Sequence, residues 1–189
     1  MGPICGPVVS AAVIIHPGTP LIPGVRDSKT LARLQREELA IEIRRTVAAV
    51  AVGAASVREI EVHNILCASR LAMARAVSRL GPVDFVLADG RRSKYDRFSQ
   101  SQFIVDGDAL CYSIACASIV AKVVRDRLME GLARRYPAYG WERNKGYASV
   151  EHLEAVRRLG ATPYHRQTWT TFQSRLPAIE DLVMDDERD

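Results

Sequence analysis

Residues 103–127 constrain the fold of this chain more than any other stretch. Phe103-Ile104-Val105 is a short apolar run suited to a strand, and Gly107 breaks it. A helix then follows, with Asp108 expected as its cap, because a short carboxylate accepts hydrogen bonds from the first free N–H groups of a helix. Along that helix Ile114, Ala117, Ala121, Val124, Leu128 and Leu132 recur at steps of three and four, the period of a core-facing stripe. Ser118, Lys122 and Arg125 fall on another face. A hydroxyl and two cations beside an acid suit a phosphate chain passing over an acidic metal site. The plainer alternative is a solvated charged face next to a capping Asp.

A chain of 189 residues with 48% hydrophobic content can bury one core. The formal charge of +4 conceals a division: residues 177–189 carry six acids and one base, which leaves the other 176 residues at +9. A basic body fits a polyanionic partner. The four cysteines have no CxxC spacing, so reduced thiols and a cytoplasmic protein are expected rather than a disulfide framework or a zinc site. No run is long enough to span a membrane. There is no P-loop, GxGxxG or GxSxG, so nucleotide-hydrolase, dehydrogenase and esterase readings lack their anchors.

The elements read in order as a strand over residues 7–16, a helix capped at Asp27-Ser28 and running to about Arg45 with Leu31, Leu34 and Ile41 on one side, and a strand over 47–54. Ser56-Val57-Arg58-Glu59 has capping-box spacing and opens a long helix with Ile65, Ala68, Ala72, Ala76 and Leu80 as its buried stripe. Residues 84–90 read as a strand that delivers Asp89 at its carboxyl end, where ligands collect in open α/β sheets. The segment 136–147 shows no helical or strand period and mixes aromatics, bases and glycines, as a loop that stacks on sugars or bases does. A helix from Val150 to Leu159 stops at Gly160. One domain over residues 1–173 and an acidic tail over 174–189 are expected.

Asp89 and Asp108 are the acids expected to meet, since both sit where an apolar strand ends and both adjoin glycine. Two carboxylates suit Mg²⁺ or Mn²⁺, hard cations that prefer oxygen. His165, with Arg166 beside it, reads either as a general acid or as a loop residue.

The blocks Gly2-Pro3-Ile4-Cys5-Gly6-Pro7-Val8-Val9, Asp27-Ser28-Lys29, Asn64-Ile65-Leu66, Ala88-Asp89-Gly90, Gly107-Asp108, Ala117-Ser118-Ile119-Val120-Ala121-Lys122, Asn144-Lys145-Gly146-Tyr147, Glu151-His152-Leu153 and Thr162-Pro163-Tyr164-His165-Arg166 resemble ribonuclease HII in order and spacing, over residues 2 to about 170. The resemblance implies a ribonuclease H-like mixed sheet flanked by helices, and a monomeric endonuclease that hydrolyses RNA in RNA–DNA hybrids or at ribonucleotides embedded in duplex DNA. It implies four acids around two metal ions, with Asp89 and Asp108 as the third and fourth. It also implies phosphate-backbone contacts from Lys29, Asn64, Ser118 and Lys122, ribose recognition by the turn of which Gly2 is the last residue, and a sugar contact from Tyr147; Arg125, on the helix face of Ser118 and Lys122, and Lys145, beside Gly146, are expected at a phosphate from their placement. Family members begin with a strand that ends in Asp-Glu-x-Gly-Arg-Gly. Met1 falls on the Arg of that block and Gly2 on its last Gly, so the first strand and two leading acids are expected to be missing. An inactive truncated relative that only binds hybrid is the alternative.

Overall fold

The β-branched run near the N-terminus forms β1 (Val8–Ile14), which pairs antiparallel with β2 (Ala49–Ala55), Val8 opposite Ala55 and Ile14 opposite Ala49. The computed structural model of the protein describes residues 2–168. The boundary expected at 173/174 and the acidic tail lie outside the described residues. β3 (Val86–Asp89) and β4 (Ser101–Ile104) pair in parallel, with Asp89 opposite Ile104. Among the described residues the strands thus form two separate two-stranded sheets, one antiparallel and one parallel, rather than one continuous mixed ladder.

Helix α1 spans Arg33–Thr46. It starts later than the Asp27-Ser28 cap would place it, because those two side chains are engaged in a turn. Asp27 accepts from the Lys29 N–H at 2.9 Å, and the Ser28 hydroxyl meets that of Ser118 at 2.9 Å. The helix buries Leu39, Ala40 and Ile43, while Leu34 and Ile41 of the expected stripe are exposed.

Helix α2 (Val57–Ser78) opens with the expected capping box: Ser56 accepts from the Glu59 N–H, and Glu59 accepts from that of Ser56. Asn64 breaks the helix with φ 69° and ψ 165°. Ile65, just past this break, is exposed, whereas Ala68, Ala72 and Ala76 are fully buried. These small residues let α2 approach β2 closely.

Past the first turn after β4, α3 (Gly107–Leu110) is a single turn, and α4 (Tyr112–Arg135) is the long central helix. The expected stripe on α4 is out of phase. Ile114, Ala115, Cys116, Ile119, Val120, Val123, Met129 and Ala133 are buried, and Leu128 is exposed. α4 packs on α1, β1 and β3 at once, so more than one face is covered and a single stripe does not describe it.

Residues 136–147 are ordered rather than an aperiodic loop: a 3₁₀ turn at Pro137–Tyr139 leads into α5 (Trp141–Asn144). Tyr139 and Trp141 are buried and stack on each other at 5.3 Å, so their rings are core and not a surface for bases. α6 (Val150–Leu159) follows as expected, with Ser149 as its cap and Gly160 after its end.

Gly53 on β2 is where α2 comes closest: a Cβ there would overlap the Ala72 carbonyl oxygen and the Ala76 nitrogen, both backbone atoms of a buried helix. Gly53→Ala should therefore destabilise the protein by about 2 kcal/mol or more, read as a lower urea midpoint at unchanged m-value.

Candidate active site

The parallel register of β3 and β4 brings both strands to an end on the same side, and this is why Asp89 reaches the backbone next to Asp108. Asp89 is the last residue of β3. Its Oδ1 accepts the Gly107 N–H at 2.9 Å, so one acid holds the backbone immediately before the other. A Cβ at Gly107 would lie 2.8 Å from Ile114 Cδ1 and 3.2 Å from Asp89 Oδ1, so any side chain there would push the tip of Ile114 aside and crowd the Asp89 carboxylate. The left-handed residue of this turn is Asp106, φ 53°. Asp108 is not a helix cap, since its side chain lies in the first turn of α3. It is buried, and its Oδ2 accepts from Lys29 Nζ at 3.2 Å. That hydrogen bond raises the Lys29 ammonium above its ordinary range, with partial burial opposing it.

Arg70 of α2 fixes the other side of Asp89. Almost fully buried, it pairs with Asp96 at 2.9 Å, donates to the carbonyls of Asp89 and Arg91, and lies 4.5 Å over the Phe103 ring. Only its setting in a stripe of alanines marks it in the sequence.

On α4, Ser118 docks the 27–30 turn through Ser28, and Lys122 pairs with Asp126 at 2.8 Å. Asp126 also faces Arg36, whose guanidinium donates to the Ser28 and Leu31 carbonyls. Tyr147 is 41% exposed, with Lys122 Nζ and Arg125 Cζ each 5.6 Å from its ring centroid. Lys29, Ser118, Lys122 and Tyr147 thus fall on surfaces joined through α4 and the 27–30 turn. Gly2 is half-buried at the head of the segment whose Ile4 and Cys5 N–H groups donate to the Gly146 carbonyl.

Three expected backbone-binding residues have other partners. Arg125 points inward and is buried, donating to the carbonyls of Cys5, Pro7 and Lys145. Lys145 is buried with its ammonium on Glu130 at 2.6 Å and on the Glu142 carbonyl. Asn64 accepts from the Cys67 N–H, capping the second half of α2. It lines a cleft of about 650 Å³ with His63, Ile65 and Tyr95 that includes neither Asp89 nor Asp108.

His165 and Arg166 lie in the core. Arg166 donates to the Gly6 and Pro7 carbonyls. Cys5, His152 and His165 form a close cluster of buried ligand-type atoms, yet their hydrogen bonds describe a neutral network. His165 Nδ1 accepts from the Thr162 N–H, which leaves the proton on Nε2, 3.0 Å from His152 Nε2. His152 Nε2 also accepts from the Trp141 indole, while Nδ1 faces the Tyr147 carbonyl. Burial pushes the Cys5 thiol up to about 12. A protonated thiol and a protonated Nε2 are poor metal ligands.

The ribonuclease HII family profile matches residues 1–172. The chain belongs to the ribonuclease HII family. Ribonuclease HII is a hydrolase, an endonuclease that acts on RNA–DNA hybrids, and its family uses divalent cations. A ribonuclease HII of Thermosynechococcus vestitus is 49% identical over 181 residues, covering 96% of this chain and 84% of that protein. The ribonuclease HII in a complex with PCNA from Archaeoglobus fulgidus has a TM-score of 0.74 at 26% identity, covering 95% of this chain and 94% of that one. A ribonuclease HIII solved with Mn²⁺ shares the fold at a TM-score of 0.68 and 20% identity, over all of this chain and 68% of its own. The α/β architecture is thus that of ribonuclease H-like proteins. Among the described residues no helix is long and apolar enough to cross a membrane, and the four cysteines are free.

The histidine pair sets a pH dependence. Burial, and then repulsion from His152 when that ring is protonated, pushes His165 down to about 4, and burial lowers His152 as well. Between the unfolded value of about 6.5 and the folded one, the unfolded chain binds more protons, so stability rises with pH. The urea midpoint should fall as pH drops from 7 towards 4, and His165→Gln should show a shallower fall from its own lower starting point.

Proposed function

We propose that this chain cleaves the RNA strand of hybrids, and duplex DNA at embedded ribonucleotides, by hydrolysis assisted by Mg²⁺ or Mn²⁺ held at Asp89 and Asp108. The observation that carries this reading is the junction at Gly107, where the end of β3 and the start of α3 present two carboxylates together, one of them already on a cation, Lys29. The donors fit a hard divalent ion, which commonly takes one or two carboxylates and keeps water for the rest of its shell. Such an ion supplies activation of water and neutralisation of charge at the phosphate.

The chain's own groups do the remaining work. Asp89 is oriented by Arg70 behind it and by the Gly107 N–H in front. Lys122, held in direction by Asp126, and Lys29 are the cations available to a phosphate backbone. Ser118 keeps the Lys29 turn seated on α4. Tyr147 presents its ring to solvent beside Lys122, where it fits against a deoxyribose, a face without the 2′-hydroxyl.

A second reading, that the chain binds hybrid without cutting it, is favoured by one observation. Among the described residues no third acid joins Asp89 and Asp108 in a metal-binding group.

Incubating the purified chain with Mn²⁺ and a duplex carrying one ribonucleotide separates the two. Cleavage is expected, and Asp89→Asn should lower it at least about 100-fold with hybrid affinity retained. Binding without cleavage by the unaltered chain would establish the second reading.

Tyr147→Ala should impair cleavage at a single embedded ribonucleotide more than cleavage within a long hybrid. Equal losses on both substrates, with a lower melting temperature, would return Tyr147 to a packing role.

A further inference from the structure

Lys29 is 78% exposed in its side chain, yet its ammonium lies on Asp108, whose side chain is 9% exposed. The backbone beneath it has little freedom. Asp27 accepts the Lys29 and Thr30 N–H groups, the Arg36 guanidinium holds the Ser28 carbonyl, and the Ser28 hydroxyl is fastened to Ser118. The lysine is thus a flexible, solvated arm on a fixed base, and its ammonium stands where a divalent cation would meet Asp108 Oδ2.

We infer that Lys29 is a resident counter-ion whose ammonium competes with the divalent cation for Asp108, and that nucleic acid, by drawing this arm to a phosphate, tightens cation binding. The inference rests on the reading of Asp89 and Asp108 as the cation's carboxylates. One carboxylate oxygen cannot make its best contact with an ammonium and an ion at the same point, so each weakens the other. A phosphate offers the ammonium an alternative partner within reach of the same arm. Coupling of this kind is reciprocal, so the cation also favours nucleic-acid binding. An ion pair whose lysine is solvated is weak, which sets the scale at a few-fold and makes the exchange easy to reverse.

Mn²⁺ binding is read from the loss of the free-ion electron paramagnetic resonance signal, in the absence of nucleic acid and with no turnover required. Lys29→Met should bind Mn²⁺ about three- to five-fold more tightly than the unaltered chain, the size expected of such a pair. Arg26→Met removes the same charge from an exposed position three residues earlier in the segment and should change the affinity much less. Adding a duplex of DNA with a 2′-O-methyl RNA strand, which resists hydrolysis, should tighten Mn²⁺ binding more in the unaltered chain than in Lys29→Met. Unchanged or weaker binding by Lys29→Met would overturn the inference, as would equal tightening by Arg26→Met. Mn²⁺ binding that is absent from the unaltered chain, or that survives intact in Asp108→Asn, would instead overturn the carboxylate reading on which the inference stands.

Discussion

Two buried guanidiniums hold the molecule together around one short segment. Arg125 and Arg166 donate to the carbonyls of Cys5, Gly6 and Pro7, and Arg125 also takes that of Lys145. Burial pulls both below the ordinary arginine range, Arg166 to about 10; a guanidinium keeps its proton in proteins, so the pair is cationic. Removing a cation from water costs several kcal/mol, and multiple charge-assisted bonds to carbonyls offset it. The lead-in to β1, the middle of α4, the turn before Tyr147 and the segment after α6 therefore converge on one point. Loss of Arg125 would take these donors from the Cys5 and Lys145 carbonyls and loss of Arg166 from that of Gly6, with Pro7 shared between the two.

From that point α4 carries the geometry to the site. It touches both β1 and β3, so it joins two strand pairs that share no ladder. Its N-terminal end follows the turn in which Asp89 holds the backbone next to Asp108, and about two to three turns further along Ser118 and Lys122 meet the Lys29 turn and Tyr147. The acids thus sit at a junction of strand ends, and the cations sit on a helix and a turn. A phosphate backbone contacting the cations passes beside the acids.

Much of this was legible locally. The Ser56 capping box, the α6 boundaries, the β1 run and the delivery of Asp89 at a strand end depend on residues within a few positions of one another, and they appear as the sequence reads. The approach of Asp89 to the backbone beside Asp108 was legible too, through the glycine at 107 that marks where backbone and carboxylate come close. Phase on α1 and α4 was not. A helix covered on several sides buries residues by what lies against it, and period alone selects one stripe among several.

Charged residues mark the same limit more sharply. Sequence shows that Arg125, Lys145, His165, Arg166 and Tyr147 stand in motifs, because residue type and order are local properties. It does not show which of them face water. Only the tertiary structure turned Arg125 and Arg166 inward onto carbonyls, placed Lys145 on Glu130, enclosed His165 with His152, and left Tyr147 and Lys29 outside. A long cationic side chain is satisfied equally by a phosphate, a carboxylate or a row of carbonyls. Which of these lies within its reach depends on residues more than a hundred positions away, as Cys5 and Gly6 are from Arg125 and Arg166, and only the folded chain brings them together.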